Sequence, residues 1–132
     1  MAGTLVANTI NTDTGLFSTN NAYSGIAKAW AQFSVSGSTV TVNGNFNISS
    51  ITRNSAGYFT VNFSTAMSNA NYAVSTSSVI QAATYTGTCI PFTSGGGSVP
   101  TVAPTTSAFA LACQTSAATN FDPSYASFVV FD

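Results

Sequence analysis

Asp122 and Asp132 are the closest this sequence comes to a catalytic carboxylate pair. Glycoside cleavage needs one such group protonated and one ionised, about 5–9.5 Å apart. Asp122 precedes Pro123, a turn-forming dipeptide, and Asp132 ends the numbered chain, so both read as structural. Ser24 and Lys28 suggest a serine–lysine dyad, but their spacing is not the S-x-x-K of such enzymes. Cys89 and Cys113 have no histidine to activate them, because the chain contains none. Two cysteines without histidine also cannot complete a structural zinc site. Asn11, Thr12 and Asp13 offer oxygens to calcium, but a single carboxylate outside any EF-hand spacing makes a weak site. Ser94, Gly95, Gly96, Gly97 and Ser98 form a glycine-rich run that lacks the Lys-Ser/Thr of a phosphate loop. Asn47 and Asn62 each begin a glycosylation triplet, a pattern frequent by chance in an Asn- and Ser-rich chain.

The wider composition points the same way. Two cations, Lys28 and Arg53, and three carboxylates, Asp13, Asp122 and Asp132, leave a net charge of −1 over 132 residues. General acid–base catalysis needs groups that titrate near neutrality. The polarity here comes from Ser, Thr and Asn, which hydrogen-bond without titrating. The expectation is a non-enzymatic protein with no cofactor. One Lys and one Arg cannot build a basic patch, which argues against nucleic-acid binding. No apolar run approaches the ~20 residues of a membrane span. A net charge near zero favours association, so a surface largely covered by other subunits is expected.

An apolar fraction of 45% is ordinary for a globular protein. The length suits one domain on the usual prior of about 100–200 residues. The opening residues lack the features of a signal peptide and read as a mature start. On that basis Cys89 and Cys113 are expected as reduced, buried thiols.

The elements that must position these residues are strands. Residues 29–35 and 39–42 alternate cleanly about a turn at 36–38, a hairpin signal. Asn43-Gly44 reads as the next turn, followed by a strand over 46–53 and a turn at 54–57. Residues 58–63 form the clearest strand, with Phe59, Val61 and Phe63 on one face. Further strands are expected over 72–80, 83–90, 107–113 and 127–131. Residues 63–69 and 114–120 have room for a helical turn at most. The stretch 91–106 is a long loop, of the kind that is commonly functional. Residues 1–25 read as an arm or linker, with one short strand over 4–10. Residues 26–132 read as a single all-β domain, an antiparallel β-sandwich or meander. Trp30, Tyr58, Tyr72, Tyr85 and Tyr125 are candidates for a glycan-binding face, although core or subunit packing is the stronger explanation of aromatics at alternating positions.

One segment carries a resemblance. Ala27, Lys28, Ala29 and Trp30 are followed by Phe33, then by FNISSIT at 46–52 and GYFTVNF at 57–63. Ala66, Met67, Asn69, Ala70, Asn71 and Tyr72 close the pattern. In order and spacing this resembles a module of structural proteins and tail fibres of tailed bacteriophages, particularly marine ones. The opening GTLVANTI is similar to the start of such proteins. The resemblance implies a non-enzymatic virion component, homotrimeric, assembled in the host cytoplasm and displayed on the particle exterior. Its partners would be its own copies, other virion proteins and a host surface glycan. The module often ends a longer fibre, and this chain is little longer than the module. A short fibre or spike used in host attachment is therefore the leading expectation, and a capsid decoration protein the alternative. A monomeric lectin-like module is the alternative of another class. Within this frame Ser94, Gly95, Gly96, Gly97 and Ser98 are the candidate receptor-facing loop. Lys28 and Arg53 are the candidate subunit-boundary charges, at least one of them paired with an Asp or a carbonyl.

Overall fold

The computed structural model describes residues 9–12, 15–18, 25–79, 87–92 and 102–132. The elements are all strands: β1 (Thr9–Thr12), β2 (Gly15–Ser18), β3 (Ala29–Ser36), β4 (Thr39–Phe46), β5 (Ile48–Ser55), β6 (Tyr58–Phe63), β7 (Ala73–Val79), β8 (Gly87–Pro91), β9 (Ala108–Thr115) and β10 (Tyr125–Phe131). β1 and β2 pair as a separate antiparallel hairpin. The others form two four-stranded antiparallel sheets, ordered β4-β3-β10-β7 and β5-β6-β9-β8. The chain is a β-sandwich, as the alternation required.

Period two builds the core directly, because successive side chains on a strand point to opposite faces. Ala29, Ala31, Phe33 and Val35 are buried on β3, Phe59, Val61 and Phe63 on β6, and Ala126, Phe128 and Val130 on β10. Phe33 and Phe59 meet edge-on with centroids 5.2 Å apart, and Phe109 and Phe128 do the same at 5.3 Å. These are favoured aromatic geometries, and they stitch one sheet to the other. At one end Tyr72 packs on Phe63, Phe92 and Phe109. Its hydroxyl is shared between the carbonyls of Thr105 and Ala108. Burial, reinforced by the nearby charge of Asp132, pushes the Tyr72 phenol up to about 12.

β9 departs from half-burial. Residues 109–114 are all buried. Phe109, Leu111 and Cys113 belong to the core cluster. The alternate positions are Ala110, Ala112 and Gln114, small or hydrogen-bonded, with Gln114 held by Asn120.

Several sequence expectations need correction. Asn43 and Gly44 make no turn, because both lie inside β4. The β3–β4 register shifts at this point, Gln32 facing Gly44 and Phe33 facing Val42, which leaves Asn43 as an extra residue. The chain turns instead at Asn47, with φ 58°. Its side chain donates to the carbonyls of Lys28 and Thr65 and accepts from the Thr65 amide. Asn tolerates the left-handed region better than most residues, so it suits the corner where the chain crosses between sheets. Beyond β9 the chain turns at 116–117 under a Gln114–Asn120 bridge, and residues 64–70 are bends and irregular chain; neither is helical. In the N-terminal region the described strands are Thr9–Thr12 and Gly15–Ser18; residues 4–8 lie outside the described ones.

The cysteines also differ from expectation. Cys89 and Cys113 form a disulfide rather than two reduced thiols. They are direct partners in the β8–β9 register, with Cα atoms 4.0 Å apart. Pairing of the strands presents the two sulfurs to each other, a geometric fact that compartment arguments could not supply. The bridge closes a chain separation of 24 residues. Eliminating it in a Cys89→Ala/Cys113→Ala variant should lower unfolding free energy by about 3 kcal/mol, read from denaturant midpoints.

Gly57 is the tightest position in the fold. Its φ is 66°, and an added Cβ would lie 2.6 Å from both the Cys113 carbonyl oxygen and the Phe121 nitrogen. Left-handed strain and overpacking add here, so Gly57→Ala should cost about 2–4 kcal/mol. Gly37→Ala, with φ 62° but open space around it, should cost only the strain. Urea denaturation of the two variants separates these contributions.

Candidate functional site

The sequence singled out five charged residues, and the structure places three of them in defined networks. Arg53, on β5, donates from Nε to Asp122 Oδ1 at 2.9 Å and from Nη2 to Asp122 Oδ2 at 2.8 Å. The Gly57 amide adds a third donor to Asp122 Oδ1 at 3.0 Å. One carboxylate thus ties the β5–β6 turn to the segment entering β10. The side chains of both ions are 22% exposed. The partner of Arg53 is thus an Asp of its own chain.

Asp132 is engaged elsewhere. It accepts from the Ser68 amide at 2.7 Å and from the Asn69 side chain at 3.2 Å. Asp122 and Asp132 flank opposite ends of β10, a strand about 20 Å long at ~3.3 Å per residue. They cannot act on one glycosidic bond. Among the described residues no group of three His, Cys, Asp or Glu could hold a metal ion. Ser24, Asp13, Tyr85 and the run Ser94, Gly95, Gly96, Gly97 and Ser98 lie outside the described residues.

The outer face of the β4-β3-β10-β7 sheet carries the most distinctive surface. Phe46, Trp30 and Val129 stand opposite one another on adjacent strands. Phe131 is the next outward position on β10. Phe46 is 54% exposed, Trp30 41% and Phe131 38%. Around the corner from Phe46 lies a groove of about 410 Å³ lined by Ile26, Lys28, Phe46, Met67 and Asp132, among others. Ile26 is 58% exposed. Four large apolar side chains therefore meet water at one end of the molecule.

The middle of the same face is polar. Gln32 stands opposite Ser127, and Ser127 opposite Ser77, whose hydroxyl meets that of Ser127 at 2.8 Å. At the far end lies a second depression, of about 380 Å³, lined by Ser34, Val35, Ser36, Gly37, Asp122, Ser124 and Tyr125. Tyr125 is 55% exposed. The aromatic candidates therefore do not converge. Trp30 and Tyr125 share a face but occupy its opposite ends, Tyr58 belongs to the other sheet and Tyr72 is buried.

Comparison with protein-family models, with curated proteins and with solved structures found no match. The site must be read from its own geometry. Sequence reasoning passed over Phe46 and Phe131. Parity carried the signal, since inward Ala126, Phe128 and Val130 force Phe131 outward. The Ser34, Ser36, Ser124 and Tyr125 grouping had no signal, because β10 aligns against β3 only in the folded chain.

The Arg53–Asp122 pair makes stability depend on pH with a definite sign. The Arg53 hydrogen bonds hold the Asp122 carboxyl below the usual carboxylate range, aided by the Gly57 amide and opposed by partial burial. Its stabilisation is complete above the unfolded value of about 3.9 and is lost as pH falls through the lower folded value. The urea midpoint of the native chain should therefore fall as pH drops below about 4. Asp122→Asn should be less stable at neutral pH and lose most of that acid-side slope.

Proposed function

We propose that this chain is a non-enzymatic bacteriophage virion protein, a short fibre or spike subunit displayed on the particle exterior as a homotrimer and used in host attachment. One observation carries the reading: the exposed apolar end formed by Ile26, Trp30, Phe46 and Phe131 on a chain almost without charge. Contiguous exposed apolar patches of this kind mark interaction surfaces. A neighbouring copy is the natural occupant, because packing two nearly neutral surfaces strips few ions of water, and desolvating ions is the main cost of burying polar surface. Lys28 and Asp132 line the same groove, so this end is where a boundary charge belongs. Arg53 is tied up within its own chain and has no need of a neighbour.

The resemblance of residues 27–72 to phage fibre modules supports the same assignment. Its matched residues include Trp30, Phe46 and Ile48, which build the apolar row and the corner beside it. The Cys89–Cys113 disulfide suits a protein that persists in an oxidising medium outside the cell. That bridge also favours a second reading, a secreted lectin-like module acting as a monomer.

Mass in solution separates the two. Sedimentation equilibrium should return three chains per particle. Phe46→Lys/Phe131→Lys changes only exposed positions and should weaken association about 30-fold or more, the scale of interface hot spots. A monomeric native chain, or a trimer indifferent to both lysines, would reject the assembly reading.

A further inference from the structure

The depression at the Tyr125 end of the outer face has the chemistry of a sugar subsite, and we propose that it binds one neutral pyranose unit of an uncharged surface glycan. Recognition belongs to one chain throughout, so the proposal goes beyond the assembly reading and does not rest on it.

The residues set out the case. A neutral sugar offers a ring of hydroxyls, which both donate and accept, and patches of C–H on its faces. The depression supplies Ser34 and Ser36, whose hydroxyls also donate and accept, and Ser124 lines it beside them. Its volume of about 380 Å³ lies at the small end of ligand sites, which run from ~300 to 1,000 Å³. Tyr125 stands at its rim, 55% exposed, an amphipathic ring suited to an apolar sugar face with a polar tip beside it.

Two polar groups here have unused capacity. Asp122 Oδ2 accepts one hydrogen bond, from Arg53 Nη2, and a carboxylate has about four acceptor positions. The carboxylate is locked in place by three donors, so a sugar hydroxyl meets a fixed acceptor at no ordering cost to the protein. The Ser124 hydroxyl is shielded from water and has no hydrogen-bond partner. Such a group is costly to leave unpaired. In the bound state it turns into the depression and pairs with the sugar. Ser36 ends β3, and Gly37 opens the β3–β4 turn with φ 62°, so both line the depression from one edge.

Charge sets the selectivity. Among the described residues the only ionised group lining the depression is Asp122, and its positive partner Arg53 is not among the lining residues. An acidic sugar would place its carboxylate against a carboxylate. The subsite therefore takes hexoses and N-acetylhexosamines and rejects sialic acid.

Amide spectra of the isotope-labelled chain, titrated separately with methyl glucoside, methyl galactoside, methyl mannoside, N-acetylglucosamine and sialic acid, test this. At least one neutral sugar should move the amides of Ser34, Ser36, Gly37, Ser124 and Tyr125, with Kd on the order of 1–10 mM. Tyr125→Ala should weaken that binding about tenfold, the effect of ~1.4 kcal/mol. Ser36→Lys, at an exposed turn position, should block the depression and abolish the response. The unchanged spectrum of the rest of the chain shows that each variant is folded. The proposal falls if no neutral sugar moves these amides at about 100 mM, a concentration well above any Kd of biological use. It also falls if the shifts map elsewhere, if both variants bind as the native chain does, or if sialic acid binds equally well. Mass measured on the same samples keeps the two readings apart. A trimer that ignores sugars overturns only the subsite, and a monomer that binds them overturns only the assembly.

Discussion

A single carboxylate organises the polar end of this molecule. Asp122 takes two hydrogen bonds from Arg53 and one from the Gly57 amide, and those three bonds join elements far apart in the chain. Gly57 lies in the β5–β6 turn of one sheet, and Asp122 leads into β10 of the other. The close approach that Gly57 permits, with Cys113 and Phe121 backbone where a side chain would stand, is what lets the carboxylate reach. The Gly57 carbonyl accepts from the Cys113 amide, and the Phe121 amide donates to the Cys113 carbonyl. The ion pair, the glycine and the disulfide strand are therefore one construction. Removing either ion would leave its partner partly buried and uncompensated, the costly way to break such a pair.

Across the sheet faces the fold satisfies its polar surface with neutral groups. Asn62 donates to Ser50 across β5 and β6, and Asn54 donates to Thr60. Ser77 and Ser127 meet across β7 and β10. Thr76 donates to the Cys89 carbonyl, joining β7 to β8 where the two sheets meet. Cross-strand pairs are the unit of sheet stabilisation, and here neutral amides and hydroxyls fill the role that Lys–Glu pairs fill in most sheets. A surface built this way is insensitive to salt, because there are few exposed charges to screen.

Most of the architecture is legible in the sequence, because alternation over 29–35 and 58–63 fixes both strand and facing. The failures have particular causes. Asn43-Gly44 carries a turn signal, but the chain runs on through β4 with a register shift there, Gln32 facing Gly44 and Phe33 facing Val42, an irregularity of strand pairing that local rules cannot see. Asn47 looked like strand and proved to be the corner, because its left-handed backbone is secured by partners at Lys28 and Thr65. The cysteines were judged by compartment, while their fate depended on which residues of β8 and β9 stand opposite. The site was the least legible part. Arg53 and Asp122 were each visible as rare charges, but their meeting depends on where the segment carrying Asp122 and Pro123 falls against β5.

The two ends of the β4-β3-β10-β7 sheet differ in kind, and the difference follows from a single strand. β10 presents Phe131 and Val129 outward at one end and Tyr125 at the other, with Ser127 between. β3 repeats the order with Trp30, Gln32 and Ser34. Packing the apolar end against neighbours would leave the hydroxyl-lined end facing away from them, separated by the length of a strand. Assembly and recognition would then use different residues of the same two strands without competing for surface. The scarcity of charge would serve both. It limits the ions that packing at the Trp30 end would desolvate to Lys28 and Asp132, and it leaves the Tyr125 end with one oriented carboxylate among neutral hydroxyls, a surface matched to uncharged ligands. A lysine or glutamate at Ser34 would put a full charge among the hydroxyls of the Tyr125 end and spoil recognition there, while leaving the Trp30 end untouched.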